Sequence, residues 1–556
     1  MTKNIAMRSG GEILVDQLLV HGVDTAFCVP GESYLDVLNA LSLKKNKIKL
    51  IVTRQDGGAS FMAEAFGKAT GRPGICFVTR GPGATNASIG VHTAFQDSSP
   101  TALFVGQVGG DMVEREAFQE VDYRRMFGQM TKWVAQIDRA DRIPEYVARA
   151  FQVATSGRPG PVVLALPEDM LVAKEAVADA KPIQSIRYAA VNDSLAEIRR
   201  LLSESKKPLL LLGGSGWNEK ACKNIKTFSE RNNLPVACTF RRQDLIDNRH
   251  SNYVGDVGIG INPKLADVVR DSDLLLVVGA RLGEMTTGGY SLLKPPVLNK
   301  RLVHIHPGVE ELGRVFQADV MVNSDLESIS SQLSNMDPVE CNWSDWRLNA
   351  RKVYEDNVAP VSLGGDVDLA EVMQIMERNL PQDTVMVNGA GNFSGWIHRY
   401  WKYSGYRSQL APTNGAMGYG VPAGIAAKVA FPDRTVVSVS GDGCFLMNGQ
   451  ELATAAQYDL KLLFLVFNNG MYGTIRMHQE REYPNHVYGT SLKNPDFAAL
   501  ARAYGLHGAT VENTSQFEGQ LAKALSADTA ALIELKTDPE IITTRTTLSA
   551  IRDRSR

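Results

Sequence analysis

Thr435-Val-Val-Ser-Val-Ser-Gly-Asp-Gly443 and Leu462-Leu-Phe-Leu-Val-Phe-Asn-Asn-Gly470 are two apolar runs, each ending in a glycine turn that carries a hard oxygen donor. Runs of this kind read as strands of a parallel sheet buried on both faces. Glycine at Gly441 and Gly443 lets backbone amides approach a phosphate more closely than a bulkier residue would. Asp442 and Asn469 supply oxygens suited to Mg²⁺, which also takes phosphate oxygens and water. The segment Met447 to Tyr458 is expected to be a helix whose amino end faces the same phosphate. A lone Gly-Asp-Gly is a common turn. Two strand-end motifs at this separation are much more specific.

Working outward, the pattern repeats. The last third adds TVMVNGAG from Thr384 and ALIELKT from Ala531. The middle third reads PLLLLGG from Pro208, PVACTF from Pro235, DLLLVVGA from Asp273 and RLVHIHP from Arg301. In the first third a helical face (Ile13, Leu14, Leu18, Leu19) precedes an apolar strand ending at Val29-Pro30-Gly31. GICFVT from Gly74, TALFVGQV from Thr101 and PVVLALP from Pro161 follow. Strands alternating with helix-length segments predict three successive α/β domains, each a doubly wound, Rossmann-like parallel sheet, with binding loops at the strands' carboxyl ends. The boundaries expected are 1–175, 193–335 and 365–545, with linkers at roughly 172–193 and 334–365, where polar residues and Pro collect.

The 556 residues carry 59 Lys+Arg against 61 Asp+Glu, a net charge of −2. No excess of positive charge draws the chain to nucleic acid or an anionic membrane. The six cysteines are scattered without a CxxC pair, which argues against a disulfide scaffold or structural zinc. No apolar stretch approaches a membrane span of ~20 residues, and the first residues lack a signal-peptide core. A soluble cytoplasmic protein is expected.

The paired strand-end motif resembles the diphosphate motif of the thiamine diphosphate enzymes. RGPGATN (Arg80 to Asn86), VGQV (Val105 to Val108), AFQE (Ala117 to Glu120), RPGPVVLALP (Arg158 to Pro167) and NGAMGYGVPA (Asn414 to Ala423) extend the resemblance. In order and across essentially the whole chain, they are similar to their counterparts in acetolactate synthases. The resemblance implies a pyrimidine-binding domain, a central domain and a diphosphate-binding domain. In that family the active site lies between the first domain of one subunit and the third of another. It therefore implies a homo-oligomer: a dimer at least, with a tetramer expected.

By the same resemblance, the cofactor's own aminopyrimidine deprotonates the thiazolium C2, helped by a carboxylate that hydrogen-bonds pyrimidine N1′. The family carries Glu two positions after Arg; here Arg54-Gln55-Asp56 presents Asp56. Asp is one methylene shorter, about 1.5 Å of reach, enough to break a hydrogen bond unless the loop shifts. Asp56 is then the activating acid on a shifted loop, a sign of attenuated activity, or simply a helix N-cap. Pro30, Gly31, Pro82 and Asn86 match cofactor-binding positions. Asn388, Gly389, Ala390 and Gly391, with Gly441 and Gly443, would hold the diphosphate. The carbonyl of Gly415 would receive the 4′-amino group, and Met417 would wedge between the rings, where a core role is the ordinary alternative for Met. Met471 would give its carbonyl to Mg²⁺ beside Asp442 and Asn469, with Tyr472 adjoining.

On the substrate side, Gln107, Phe118, Gln119 and Lys132 match acetolactate-synthase positions, although Phe118 would also suit a core and Lys132 a surface. Glu32 is a departure: acetolactate synthases commonly have Gly there, whereas pyruvate decarboxylases have an Asp that assists proton transfer. His478 stands where acetolactate synthases place a Trp that selects the second keto acid. Gly279-Ala280-Arg281 resembles part of the FAD site of some relatives, but the loop beneath the flavin is replaced by 255–260; FAD is left open and not expected.

The resemblance implies a Mg²⁺- and thiamine diphosphate-dependent transferase that decarboxylates a pyruvate-like 2-keto acid and ligates the resulting carbanion to a second carbonyl. The alternatives are a decarboxylase or carbon–carbon lyase acting on a larger 2-oxo acid or acyloin through Glu32 and His478, and a low-activity cofactor-binding protein. A plain NAD-dependent enzyme is a poorer reading, since no strand–GxGxxG–helix unit with a ribose-binding acid stands out.

Overall fold

Strand Pro208–Leu212 shows how the core is made: Leu209 and Leu211 join one apolar cluster while Leu210 and Leu212 join another. Leu275 and Val277 of the neighbouring strand join the first cluster, and Leu274, Leu276 and Val278 the second. Successive side chains point to opposite faces, so a continuous apolar strand requires helices on both. The computed structural model, which describes residues 6–555, contains three six-stranded sheets built this way.

The first sheet runs, edge to edge, through the strands Lys49–Val52, Thr25–Cys28, Gly74–Val78, Thr101–Gln107, Pro161–Pro167 and Trp133–Gln136. The second runs through Tyr253–Val257, Val236–Thr239, Pro208–Leu212, Leu274–Val278, Arg301–His306 and Val320–Asn323. The third runs through Gln409–Leu410, Val385–Asn388, Val436–Gly441, Leu463–Asn468, Ala531–Lys536 and His507–Val511. Every pairing within the three sheets is parallel. Each sheet reverses its winding beside its first strand, and that reversal opens a crevice at the strands' carboxyl ends. In the first sheet it falls between Thr25–Cys28 and Gly74–Val78, and in the third between Val385–Asn388 and Val436–Gly441.

The chain divides into two units. One runs to Ile186 and includes Ile425–Ala430 and Asn448–Tyr458; the other holds the remaining residues. Among the described residues no helix is long and apolar enough to cross a membrane.

Three expectations are corrected. The strand reading found four strands per domain, and the structure has six; the missing pair in every sheet is the two edge strands. An edge strand is covered less completely and needs no unbroken apolar run, as the alternating buried and exposed residues of Val320–Asn323 illustrate. The expected linker at 334–365 contains the helix Ser344–Val358. Asp345, Lys352, Glu355 and Asp356 are exposed, while Ala350 and Tyr354 are buried and Tyr354 packs edge-on against Tyr253 at 4.9 Å. Arg351 donates to the carbonyls of Asn248, His250 and Tyr253. The helix thus covers the edge strand Tyr253–Val257. Finally, the single helix expected over 447–458 is a 3-10 turn Gly449–Glu451 followed by a helix Leu452–Gln457, and a separate short helix Asp442–Leu446 precedes it. The helix that starts at the strand end therefore begins at Asp442 itself.

Candidate active site

In the second unit, Asp442 opens the helix Asp442–Leu446 directly after strand Val436–Gly441. Its side chain is buried, and Oδ2 accepts from the Gly470 amide at 2.9 Å and from Asn494 Nδ2 at 2.6 Å. Burial pushes the carboxyl pKa up, against the hydrogen bonds of Asn494 and of the Gly443 and Gly470 amides. The two asparagines of the second motif have different tasks. Asn468 holds the loop: Oδ1 accepts from Gly470 N and Asn494 Nδ2, while Nδ2 donates to Glu534 Oε1 at 2.6 Å. Asn469 lies one residue beyond the strand and accepts only weakly, from Met471 N at 3.3 Å. Met471 is bridged to Ser491, and the Tyr472 amide donates to Thr490 O, which brings 490–494 alongside the loop.

Asp442, Asn469 and the Met471 carbonyl form a set of hard oxygens, and that donor chemistry fits Mg²⁺ with positions left for phosphate and water. The glycine at 443 is required by close approach: a Cβ there would lie 2.5 Å from the Tyr472 ring. Asn388 is fully buried at the end of its strand; Nδ2 donates to Gly389 O, and Oδ1 has no partner among the described residues. Gly389, Ala390 and Gly391 follow at the crevice beside Gly441. Gly415 is exposed and Met417 partly buried, so Met417 is not a core side chain. His478 lies exposed on helix Gly473–Glu482, one turn beyond the exposed Ile475.

In the first unit, the crevice collects Pro30, Gly31 and Glu32 after strand Thr25–Cys28, and Gly81, Pro82 and Asn86 from the cap and first turns of the helix after strand Gly74–Val78. Asp56 is the first residue of helix Asp56–Thr70. It is not the N-cap: Gln55 takes that role, its Oε1 accepting from Gly58 N at 2.9 Å. Asp56 is instead buried, with Oδ2 accepting from Asn86 Nδ2 at 3.2 Å and Oδ1 unpartnered among the described residues. A Cβ on Gly83 would lie 3.2 Å from that oxygen, so it sits against the first turn of helix Pro82–Asp97. Small residues permit this: helices Asp56–Thr70 and Pro82–Asp97 approach so closely that a Cβ on Gly90 would lie 2.2 Å from Ser60 Oγ.

Gln119 meets the residue that caps the same helix. Gly81 has φ +50°, and a Cβ on it would lie 2.7 Å from the Gln119 carbonyl. Glu32 is exposed and lies 3.4 Å from Arg80, whose other nitrogen pairs with Glu168. Gln107 ends strand Thr101–Gln107 and donates to Val121 O at 2.8 Å. Phe118 is 71% exposed and is therefore not a core residue. Lys132 is placed differently from the substrate role expected of it. It precedes strand Trp133–Gln136, at the amino end of the sheet, and its ammonium caps the carbonyls of Val153 and Ser156 at the end of helix Ile143–Thr155. Two residues escaped the sequence reading: Asn494, which lies in an irregular segment without a motif, and Glu451, which sits inside the expected helix.

The crevice geometry, the oxygen donor set and the buried carboxylate define a cofactor-dependent α/β enzyme. Three family models agree: thiamine pyrophosphate enzyme, N-terminal TPP binding domain, over residues 8–126; the central domain over 195–333; and the C-terminal TPP binding domain over 389–535. The chain belongs to the thiamine pyrophosphate enzymes. Within them it is similar to acetolactate synthase large subunits. It is 30% identical to the isozyme 2 large subunit of Escherichia coli, over 95% of this chain and 96% of that protein. It is 32% identical to the large subunit of Parasynechococcus marenigrum (95% and 87%) and 30% identical to that of Lactococcus lactis (95% and 92%).

Proposed function

We propose that the chain is a Mg²⁺-dependent carboligase that decarboxylates a pyruvate-like 2-keto acid and joins the remaining two-carbon unit to a second carbonyl compound. When bound, thiamine diphosphate supplies the electron sink for decarboxylation. Asp442, Asn469 and the Met471 carbonyl would hold the metal, and the amides of 389–391 and 443 the diphosphate. Gly415 and Met417 would orient the rings, and Asp56 would hold the pyrimidine through N1′. Gln119, Gln107 and Phe118 would line the substrate side.

The observation that carries this reading is the Asp56 carboxylate: buried, at a sheet's winding reversal, with one oxygen unsatisfied. A buried unpaired acceptor is costly unless a ligand satisfies it. The proposal assigns 1–175, 193–335 and 365–545 to the three domains, in a homo-oligomer of the cytoplasm. Six cysteines, all free, support a reducing compartment.

Glu32 favours a second reading. An exposed acid beside Arg80 suits protonation of a decarboxylation product, and His478 is exposed where a bulky acceptor-selecting residue is expected. The chain would then be a decarboxylase or lyase on a larger 2-oxo acid. Incubation with pyruvate, Mg²⁺ and thiamine diphosphate separates the two. The first predicts an acetohydroxy acid, with one carbon dioxide released for every two pyruvates consumed. Aldehyde alone, formed better from a bulky 2-keto acid, would overturn it in favour of the second.

A further inference from the structure

We propose that Glu451 is a positioning residue for Asp56: its carboxylate fixes the chain entering helix Asp56–Thr70 and so sets where the Asp56 side chain sits. The inference rests on the role of Asp56 proposed above. Glu451 is fully buried. Its oxygens accept from the Arg54 amide at 3.0 and 3.2 Å and from Thr454 Oγ1 at 2.5 Å. Arg54 is tied again, through its guanidinium, to Gln457 Oε1 at 2.7 Å. A Cβ on Gly58 would lie 2.6 Å from Glu451 Oε1 and 3.0 Å from Cδ, so the carboxylate lies directly over the helix's first turn.

The first turn of a helix leaves amides without intrahelical acceptors and carries the positive end of its dipole. Gln55 satisfies one amide, that of Gly58, from within the segment, and Glu451 satisfies the Arg54 amide from a distant part of the chain. Burial pushes the Glu451 pKa up, while the Thr454 hydroxyl, the Arg54 and Gln55 amides and the Arg54 charge oppose it. An acceptor-only side chain is what this constellation of donors requires; a Gln in its place would turn an NH₂ group against them. Because Asp56 has the shorter side chain, its reach depends strongly on where the backbone holds it.

Full-length Glu451→Gln and Gly58→Ala test the proposal, the second by forcing a methyl against the carboxylate from the helix side. In cofactor-free protein, amide hydrogen exchange of residues 54–59 should rise about tenfold in each variant. In the presence of Mg²⁺, thiamine diphosphate affinity should stay within about threefold of wild type, because the diphosphate residues are untouched. The rate of cofactor C2–H/D exchange and kcat should both fall about thirtyfold, with KM unchanged. Combining Glu451→Gln with Asp56→Ala should slow C2 exchange no further than Asp56→Ala alone. Unchanged amide exchange in both variants, or a C2-exchange loss additive with that of Asp56→Ala, overturns the proposal. A wild-type protein that never binds the cofactor would instead overturn the functional reading, whatever the amide exchange shows.

Discussion

Asp442 and Asn494 act as a pair: one carries the charge, the other fixes its direction from 2.6 Å. Removing the charge in Asp442→Asn should weaken Mg²⁺-dependent cofactor binding by about a hundredfold, and Asn494→Ala by about tenfold, as expected for a residue that orients a ligand without touching the metal. Calorimetric titration with thiamine diphosphate at fixed Mg²⁺ measures both. Asp56→Ala should slow C2–H/D exchange by about a hundredfold, and Asp56→Glu should restore much of it by returning the missing methylene. Equal exchange in wild type and Asp56→Ala removes Asp56 from the mechanism.

The places of Asp442 and Asn469 just past strand ends, and of Asp56 at the start of a small-residue helix, were legible in the sequence from its apolar runs and glycines. Asn494 was not, because its contact depends on how an irregular segment folds back on Met471. Lys132 misled for the opposite reason: a matching residue type says nothing about which end of the sheet its ammonium reaches.

Among elements, helix Leu548–Arg554 shows a charge device. Glu480, buried on helix Gly473–Glu482, accepts from Arg552 at 2.8 and 2.9 Å and from Arg476 at 2.6 Å. The Arg552 guanidinium, working against burial and joined by the Asn485 amide and Arg476, holds the carboxyl pKa down to about 2 from an ordinary 4.5. A depressed carboxylate pKa stabilises the fold above the unfolded value and loses that contribution as pH falls through the folded one. Between pH 4.5 and 2 the anchorage of Leu548–Arg554 should therefore weaken, by on the order of 2–3 kcal/mol. Hydrogen exchange of that helix should show the loss, and Glu480→Gln should abolish its pH dependence.

A second device is the buried ion pair of Lys68 with Asp97 at 2.6 Å, joining the two helices that carry Asp56 and Asn86. Lys68→Met removes the ammonium from a buried carboxylate and should cost about 3–5 kcal/mol by urea denaturation. These helices, rich in Gly and Ala, were readable from the sequence. Helix Ser344–Val358 was not, since polar residues dominate its composition and the side it buries, marked by Ala350 and Tyr354 with Trp346 and Val353 partly buried, is sparse.

At the scale of the molecule, three parallel sheets were legible because central strands must be apolar on both faces. Their six edge strands were hidden because no such demand falls on an edge. The same topology places the candidate residues: Asn388 ends a strand of the third sheet and Asp442 and Asn469 follow strands of it, while Pro30, Asp56 and Pro82 follow strands of the first. In the middle sheet the corresponding loops pack on each other instead. A Cβ on Gly214 would lie 1.8 Å from the Gly279 carbonyl, and Trp217 donates to Gly213 O at 2.8 Å.

The most direct test of the account is titration of the purified, metal-stripped protein with thiamine diphosphate, with and without Mg²⁺, in wild type and Asp442→Ala. One cofactor should bind per chain only when Mg²⁺ is present, and Asp442→Ala should abolish that binding. Failure of the wild type to bind, or undiminished Mg²⁺-dependent binding by Asp442→Ala, would contradict the assignment of the two strand-end loops to the metal and the diphosphate.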